Sequence, residues 1–202
     1  MALSAAFGPI LHTLEVAFRN ALFEIGNEAT AGRTVRTRAV NSWLDATPSM
    51  LGTREERDVI DAVVRLGKSR RRLTPGHLVG QLGFGFWVRL CDSPYEQGNA
   101  AGPGLWPLAT KRFPGCPRTE RTRATIRAAF SQIRDFRNDI AHHQPIWDKR
   151  ILETHQRAID LLTWMNPRLG AVSGNLSEVR QVFEGGPQPW RRIAEASFVA
   201  AG

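Results

Sequence analysis

Cysteine, tyrosine and long apolar runs are all scarce in this 202-residue sequence. Its two cysteines, Cys91 and Cys116, fall in segments that read as connections. They offer neither a disulfide framework nor the paired spacing of a zinc knuckle, which suits a reduced, cytoplasmic setting. No stretch approaches the ~20 apolar residues that cross a bilayer. Met1 to Phe7 is also too short for a signal peptide, so no membrane partner is expected. The single tyrosine argues against an aromatic stacking platform of the kind single-strand binders use. Alternating strand patterns and internal repeats are missing as well.

Acidic residues are in deficit too. Lysine and arginine number 27 against 19 carboxylates, a net charge of +8, and the sequence pI is near 10.8. An excess of this size favours a polyanionic partner, RNA among them, through phosphate neutralisation and counterion release. The hydrophobic share, 42%, is that of an ordinary globular protein and supplies one core. One helical domain is expected over residues 1–184, followed by a Pro/Gly-containing tail at 185–202.

What the sequence does have is helical periodicity. Pro9 suits a first turn, Leu11, Leu14, Phe18, Ala21, Leu22 and Ile25 form a stripe, and Gly26 reads as a stop. Glu15 and Arg19, four apart with the acid first, read as a solvated surface pair. Residues 27–52 give no clear structure. Thr53 and Glu56 form a capping box opening a helix with Ile60, Val63 and Val64 inward and Gly67 at its end. The run Lys68, Arg70, Arg71, Arg72 leads to Thr74-Pro75, an N-cap and first helical residue. Those four cations read either as a solvated turn or as a phosphate-facing one. One helix carrying Leu78, Leu82, Phe86 and Leu90 follows, with Gly83 and Gly85 marking close approach of a neighbour. Residues 91–117 read as a long surface connection from which Trp106 and Phe113 tuck back. Asp148 is the expected cap of a helix from about Lys149 to Met165, and Asn175 that of a last helix to about Glu184.

The chemistry concentrates where Ile126, Phe130, Ile133 and Ile140 mark a helix stripe. Continuing its alternation of fours and threes puts Arg137 on the apolar face, where a guanidinium needs a partner or a wet cleft. Asn138, His142 and His143 crowd the same last turns before Pro145, which is expected to stop the helix. Adjacent helical residues diverge by about 100°, so His142 and His143 cannot ligate one ion from one helix, and no metal or other cofactor is expected. Arginine with histidine on a basic protein suits phosphoryl chemistry instead. Imidazole titrates near neutrality and can move protons. Guanidinium forks onto phosphate oxygens and stays charged. A helix C-terminus raises the histidine's pKa and a guanidinium lowers it, so its direction is open. His155 lies on the inward stripe of its own helix and reads as a core histidine or as part of the site. Arg134, Lys149 and the Lys68–Arg72 run are candidate RNA contacts.

Arg137-Asn-Asp-Ile-Ala-His142 resembles the arginine–histidine signature of the HEPN-superfamily ribonucleases. Its surroundings extend the likeness. Leu14-Glu-Val-Ala-Phe-Arg-Asn-Ala-Leu22, Gly83-Phe-Gly-Phe-Trp87, Leu105-Trp106, Phe113-Pro114, the run Phe136 to Ile146, and His155 with Trp164 follow one another as in Abi-like (abortive infection) proteins. The resemblance covers about residues 10 to 170. Gly83 stands where serine is expected and Gln144 where an acid is expected. The likeness implies an all-α, HEPN-like bundle with additional helices, and a homodimer whose motifs face one another. It implies metal-independent endoribonuclease action in bacterial anti-phage abortive infection, or as a toxin, with an antitoxin or structured non-coding RNA as further partner. Arg137 would then hold the scissile phosphate, His142 serve as acid and base, and Asn138 orient them, with His143, Glu15 and Arg19 in support. The alternative within the same superfamily is a non-catalytic RNA-binding module or a regulatory scaffold.

Overall fold

The structure, a computed structural model, describes residues 2–33, 36–68, 73–99, 102–106 and 108–186. It is an all-α protein whose elements pack around one long helix, α1 (Ala2–Thr30). Leu14, Phe18, Leu22 and Ile25 are fully buried along α1, as their four- and three-residue spacing predicts. The helix starts earlier than Pro9, which sits inside it; Thr13 Oγ1 donates to the Pro9 carbonyl at 2.8 Å. Gly26 is not a stop either. A Cβ there would lie 1.9 Å from the Trp43 indole, so the glycine is the seat of that ring and the helix runs on.

Of the segment 27–52, unreadable in sequence, residues 27–30 end α1 and residues 36–52 are held in part by buried polar groups. Two short strands, β1 (Arg36–Thr37) and β2 (Ala46–Thr47), pair antiparallel around a 3-10 turn at Trp43–Asp45. The Asp45 carboxylate accepts from the Ala39 and Val40 amides at 2.5 and 2.7 Å, and Trp43 Nε1 donates to the Phe23 carbonyl at 3.0 Å.

In α2 (Thr53–Lys68) the inward face is Glu55, Val59, Ala62 and Leu66. Ile60 and Val64 are 42% and 49% exposed, against expectation, and Val63 is half-buried. The cause is Glu55, drawn inward by Arg89 and by the Tyr95 hydroxyl, which donates to it at 2.8 Å. Glu56 does not reach back to cap the helix; its carboxylate pairs with Arg38. Arg70, Arg71 and Arg72 lie outside the described residues.

The single helix expected over 75–90 is two, α3 (Pro75–Gln81) and α4 (Phe84–Arg89), broken at Leu82–Gly83. Nothing lies within 4 Å of a Cβ built on Gly83, and one on Gly85 would meet only ordinary contacts at 3.8 Å. These glycines therefore mark a bend and an open flank, not a tight crossing. The described residues of 91–117 form a connection with short elements of its own, in which exposed residues alternate with buried anchors. They hold α5 (Pro94–Gln97), a hairpin of β3 (Gly98–Asn99) and β4 (Gly102–Pro103), and a 3-10 turn at Leu108–Arg112. Trp106 and Phe113 are buried as expected, with Leu105 and both cysteines. Burial raises both thiol pKa values, which keeps them protonated and unreactive.

Then come α6 (Arg123–Ala141), α7 (Ile151–Met165), α8 (Pro167–Leu176) and α9 (Val179–Gly185). Thr122 caps α6 by accepting from the Thr125 amide at 3.1 Å. Asp148 caps nothing: it is exposed, and the residue before α7 is Arg150. Asn166 caps α8, accepting from the Arg168 and Leu169 amides, with Pro167 in the first turn. The helix expected from Asn175 begins only at Val179. Phe18 stacks on Phe130 with ring centroids 3.8 Å apart; Phe84 meets both edge-on and Phe113 meets Phe130 edge-on. Each buried ring stabilises by about 1.5–3 kcal/mol from area alone, and together they fix α1, α4 and α6 at one centre. No described helix is long and apolar enough to cross a membrane.

Candidate functional site

The candidate site is the end of α6. Ile126, Phe130, Ile133 and Phe136 are the buried residues that aim this helix. After Ile133 the buried stripe steps by three to Phe136, which packs edge-on to Phe7 at 4.7 Å. Arg137 is thereby displaced to the flank. Its side chain is 40% exposed, and Nη2 lies 3.4 Å from Glu15 Oε2. The arginine inside the core that the periodicity predicted is not there. The expected Glu15–Arg19 pair is not formed either, because Glu15 serves Arg137 across the helix interface. A half-exposed ion pair of this kind stabilises by at most about 1 kcal/mol.

The last turn is closed by the backbone. The His142 amide donates to the Asn138 carbonyl at 2.9 Å, His143 to Ile140 at 3.1 Å, and Gln144 to Asp139 at 2.8 Å. The final pair of bonds is a Schellman closure, with His143 in the left-handed region at φ 56° where glycine is usual. So His143, not Pro145, stops the helix. His142 occupies the cap position and both imidazoles are exposed. Lys149 Nζ lies 3.4 Å from Asp139 Oδ2 and folds the following loop back beside the last turns. Ile146 anchors that loop in the core, while Trp147 is left 66% exposed between Ile146 and Lys149. Sequence reasoning passed over Trp147; its only signal was a large aromatic in a polar turn.

The remaining candidates divide clearly. Arg134 pairs with its neighbour Asp135 at 2.8 Å, and its stem lies alongside Gly85 of α4. Arg19 sits one turn along α1 from Glu15, half-buried, with Nε enclosed and unpartnered. Lys68 is exposed at the end of α2. His155 does not join the site. It is buried, its Nε2 is 2.8 Å from Ser177 Oγ, and it meets the Phe7 ring edge-on. Burial, then the Arg180 charge, holds its pKa below the usual imidazole value. It is a core histidine with a hydroxyl partner. Among the described residues no three His, Cys, Asp or Glu side chains converge as a metal site.

The arrangement thus brings a permanent cation, an amide, two exposed imidazoles and an exposed indole to one helix end. Comparison of the chain with protein-family models, with curated proteins and with solved structures finds no match. The chemistry is therefore argued from these groups themselves.

Proposed function

We propose that the chain is an endoribonuclease of the HEPN type that works without a metal, as its resemblance to Abi-like proteins implies. The observation that carries the reading is that Arg137 and His142 both reach solvent from the last turns of α6. In this reading a phosphodiester displaces Glu15 from Arg137. The guanidinium then bears the charge that builds on the phosphoryl oxygens as the 2′-oxygen attacks phosphorus. A neutral imidazole removes the 2′-hydroxyl proton and a protonated one delivers a proton to the departing 5′-oxygen. The products are a 2′,3′-cyclic phosphate and a free 5′-hydroxyl. Two copies with facing α6 ends would supply both imidazoles in one cleft. Trp147 offers a face on which a base can stack, and Lys149 and Arg134 add backbone contacts. A growth-arresting toxin in anti-phage defence is the cellular role that follows from the resemblance.

The test is cleavage of single-stranded RNA by the purified chain, with and without chelator, beside His142→Ala and Arg137→Ala. Cleavage should survive chelator and disappear in both variants at unchanged helicity. Wild-type protein that leaves every RNA intact under both conditions overturns the enzyme. The Glu15–Arg137 pair favours one second reading, because it already occupies the guanidinium: a module that binds RNA without turnover. Salt-sensitive binding with no product would select it.

A further inference from the structure

A groove of about 580 Å³ runs between the first turns of α1 and the α8–α9 pair. Its floor is α1, where Ala2, Ala5, Ala6 and Pro9 recur at helical spacing with side chains too small to fill it. Its wall is α8. Gly170 seats one side of α8 against α7, since a Cβ there would lie 2.1 Å from Thr163 Oγ1. At 100° per residue, Val172 and Leu176 fall on the other side of the helix. They line the groove and are 54% and 77% exposed. Val182 of α9 closes the far end, and Phe183 beside it is 43% exposed. Exposed apolar side chains are ordinary when scattered, but several along one concave surface mark a binding face. Glu178, exposed on the rim, is the one charge among the described lining residues.

We infer that the groove is a docking site for this chain's own C-terminal segment, residues 187–202. The described residues end at Gly186, four beyond the groove-lining Val182. Gly186 has φ 58°, so the chain turns as it leaves α9. Trp190 follows four residues later. Four extended residues reach about 13 Å, close to the roughly 15 Å length of the ten-residue α8. In the sequence beyond, Trp190, Ile193, Ala194, Phe198 and Ala201 recur in threes and fours, while Arg191, Arg192 and Glu195 fall outside that stripe. The segment thus offers the apolar face that the groove lacks, and its two arginines complement the rim carboxylate of Glu178. A short tether makes the docking intramolecular, at an effective concentration of roughly millimolar, which favours the segment over a separate partner. The docking stands apart from the ribonuclease reading, because no lining residue belongs to α6.

The experiment is limited trypsin digestion of the full chain, with cleavage after Arg191 and Arg192 followed by mass spectrometry. Val172→Glu and Leu176→Glu put a charge into the groove at exposed positions. Each should speed that cleavage by about tenfold or more, because proteolysis follows the population of undocked segment. Trp190→Ala should do the same from the other side of the contact. Ile60→Glu, on the exposed face of α2, is the control and should leave the rate unchanged. Constant cleavage at the other arginines keeps unfolding out of the readout. Equal rates in wild type and in the groove and Trp190 variants overturn the docking, as does an equal rise in Ile60→Glu. Protection that fades on dilution would place the segment on a second copy and overturn docking within one chain. Loss of self-association in Leu176→Glu, with cleavage unchanged, would give the groove to a second copy and overturn it as well.

Discussion

Replacing His143 by glycine should make the protein more stable without removing the proposed activity. His143 sits at φ 56° as the residue that closes the Schellman turn of α6. A residue with a Cβ pays about 1–2 kcal/mol for that conformation. Glycine is free of this penalty but loses about 0.5–1 kcal/mol through the greater entropy of its unfolded chain. The net gain is about 0.5–1 kcal/mol, or about 1–4 °C in melting temperature for a chain of this size. Urea denaturation is the assay: the midpoint should rise at constant slope. His143→Val, β-branched where φ is positive, should move it the other way by about 1 kcal/mol or more. RNA cleavage, assigned to His142, should persist in His143→Gly. A His143→Gly protein less stable than wild type would refute the reasoning, because the exposed imidazole would then be making a contact worth more than the strain. Loss of cleavage with the fold intact would move the chemistry from His142 to its neighbour.

Glu55→Ala should destabilise by about 3 kcal/mol, because it strips the half-buried Arg89 of one of two carboxylates and leaves the Tyr95 hydroxyl without its acceptor. A loss under 1 kcal/mol in urea would show that water replaces the carboxylate. The depressed pKa of His155 makes stability pH-dependent. The unfolded imidazole takes a proton near pH 6.5 while the folded one resists, so stability falls as pH drops below about 6.5 and continues to fall until the folded pKa is reached. His155→Gln should flatten the decline between pH 7.5 and 5; parallel curves for variant and wild type would refute the assignment.

The helices carrying the core were legible because an apolar stripe needs no partner to be recognised. Phe18, Phe130 and Ile133 are buried where their spacing puts them. Elements fixed by one polar group were not legible. The 36–52 segment owes its shape in part to Asp45 and to an indole seated on Gly26, neither of which leaves a periodic trace. The face of α2 was misread because Glu55 turns inward toward Arg89, leaving Ile60 and Val64 outside. α8 carried its signal at Asn166-Pro167, yet Gly170 is its only residue recorded as buried, so no stripe announced it. There the cap, not the periodicity, carries the information.

The misplacement of Arg137 has the most bearing on function. The alternation of fours and threes approximates 3.6 residues per turn, and either step fits after Ile133. Which residue turns inward is decided by shape, and Phe136 fills the space against Phe7 that a guanidinium cannot. A buried Arg137 would need a permanent carboxylate and would be lost to chemistry, since breaking such a pair costs about 3–5 kcal/mol. On the flank the pair with Glu15 is half-exposed and contributes no more than about 1 kcal/mol. A forked arginine–phosphate contact is charge-assisted in the same way. In the proposed function, exchange of the carboxylate for a phosphodiester would therefore cost little from the flank and much from the core. The same three-residue step that defeats the sequence reading leaves Arg137 available to a ligand.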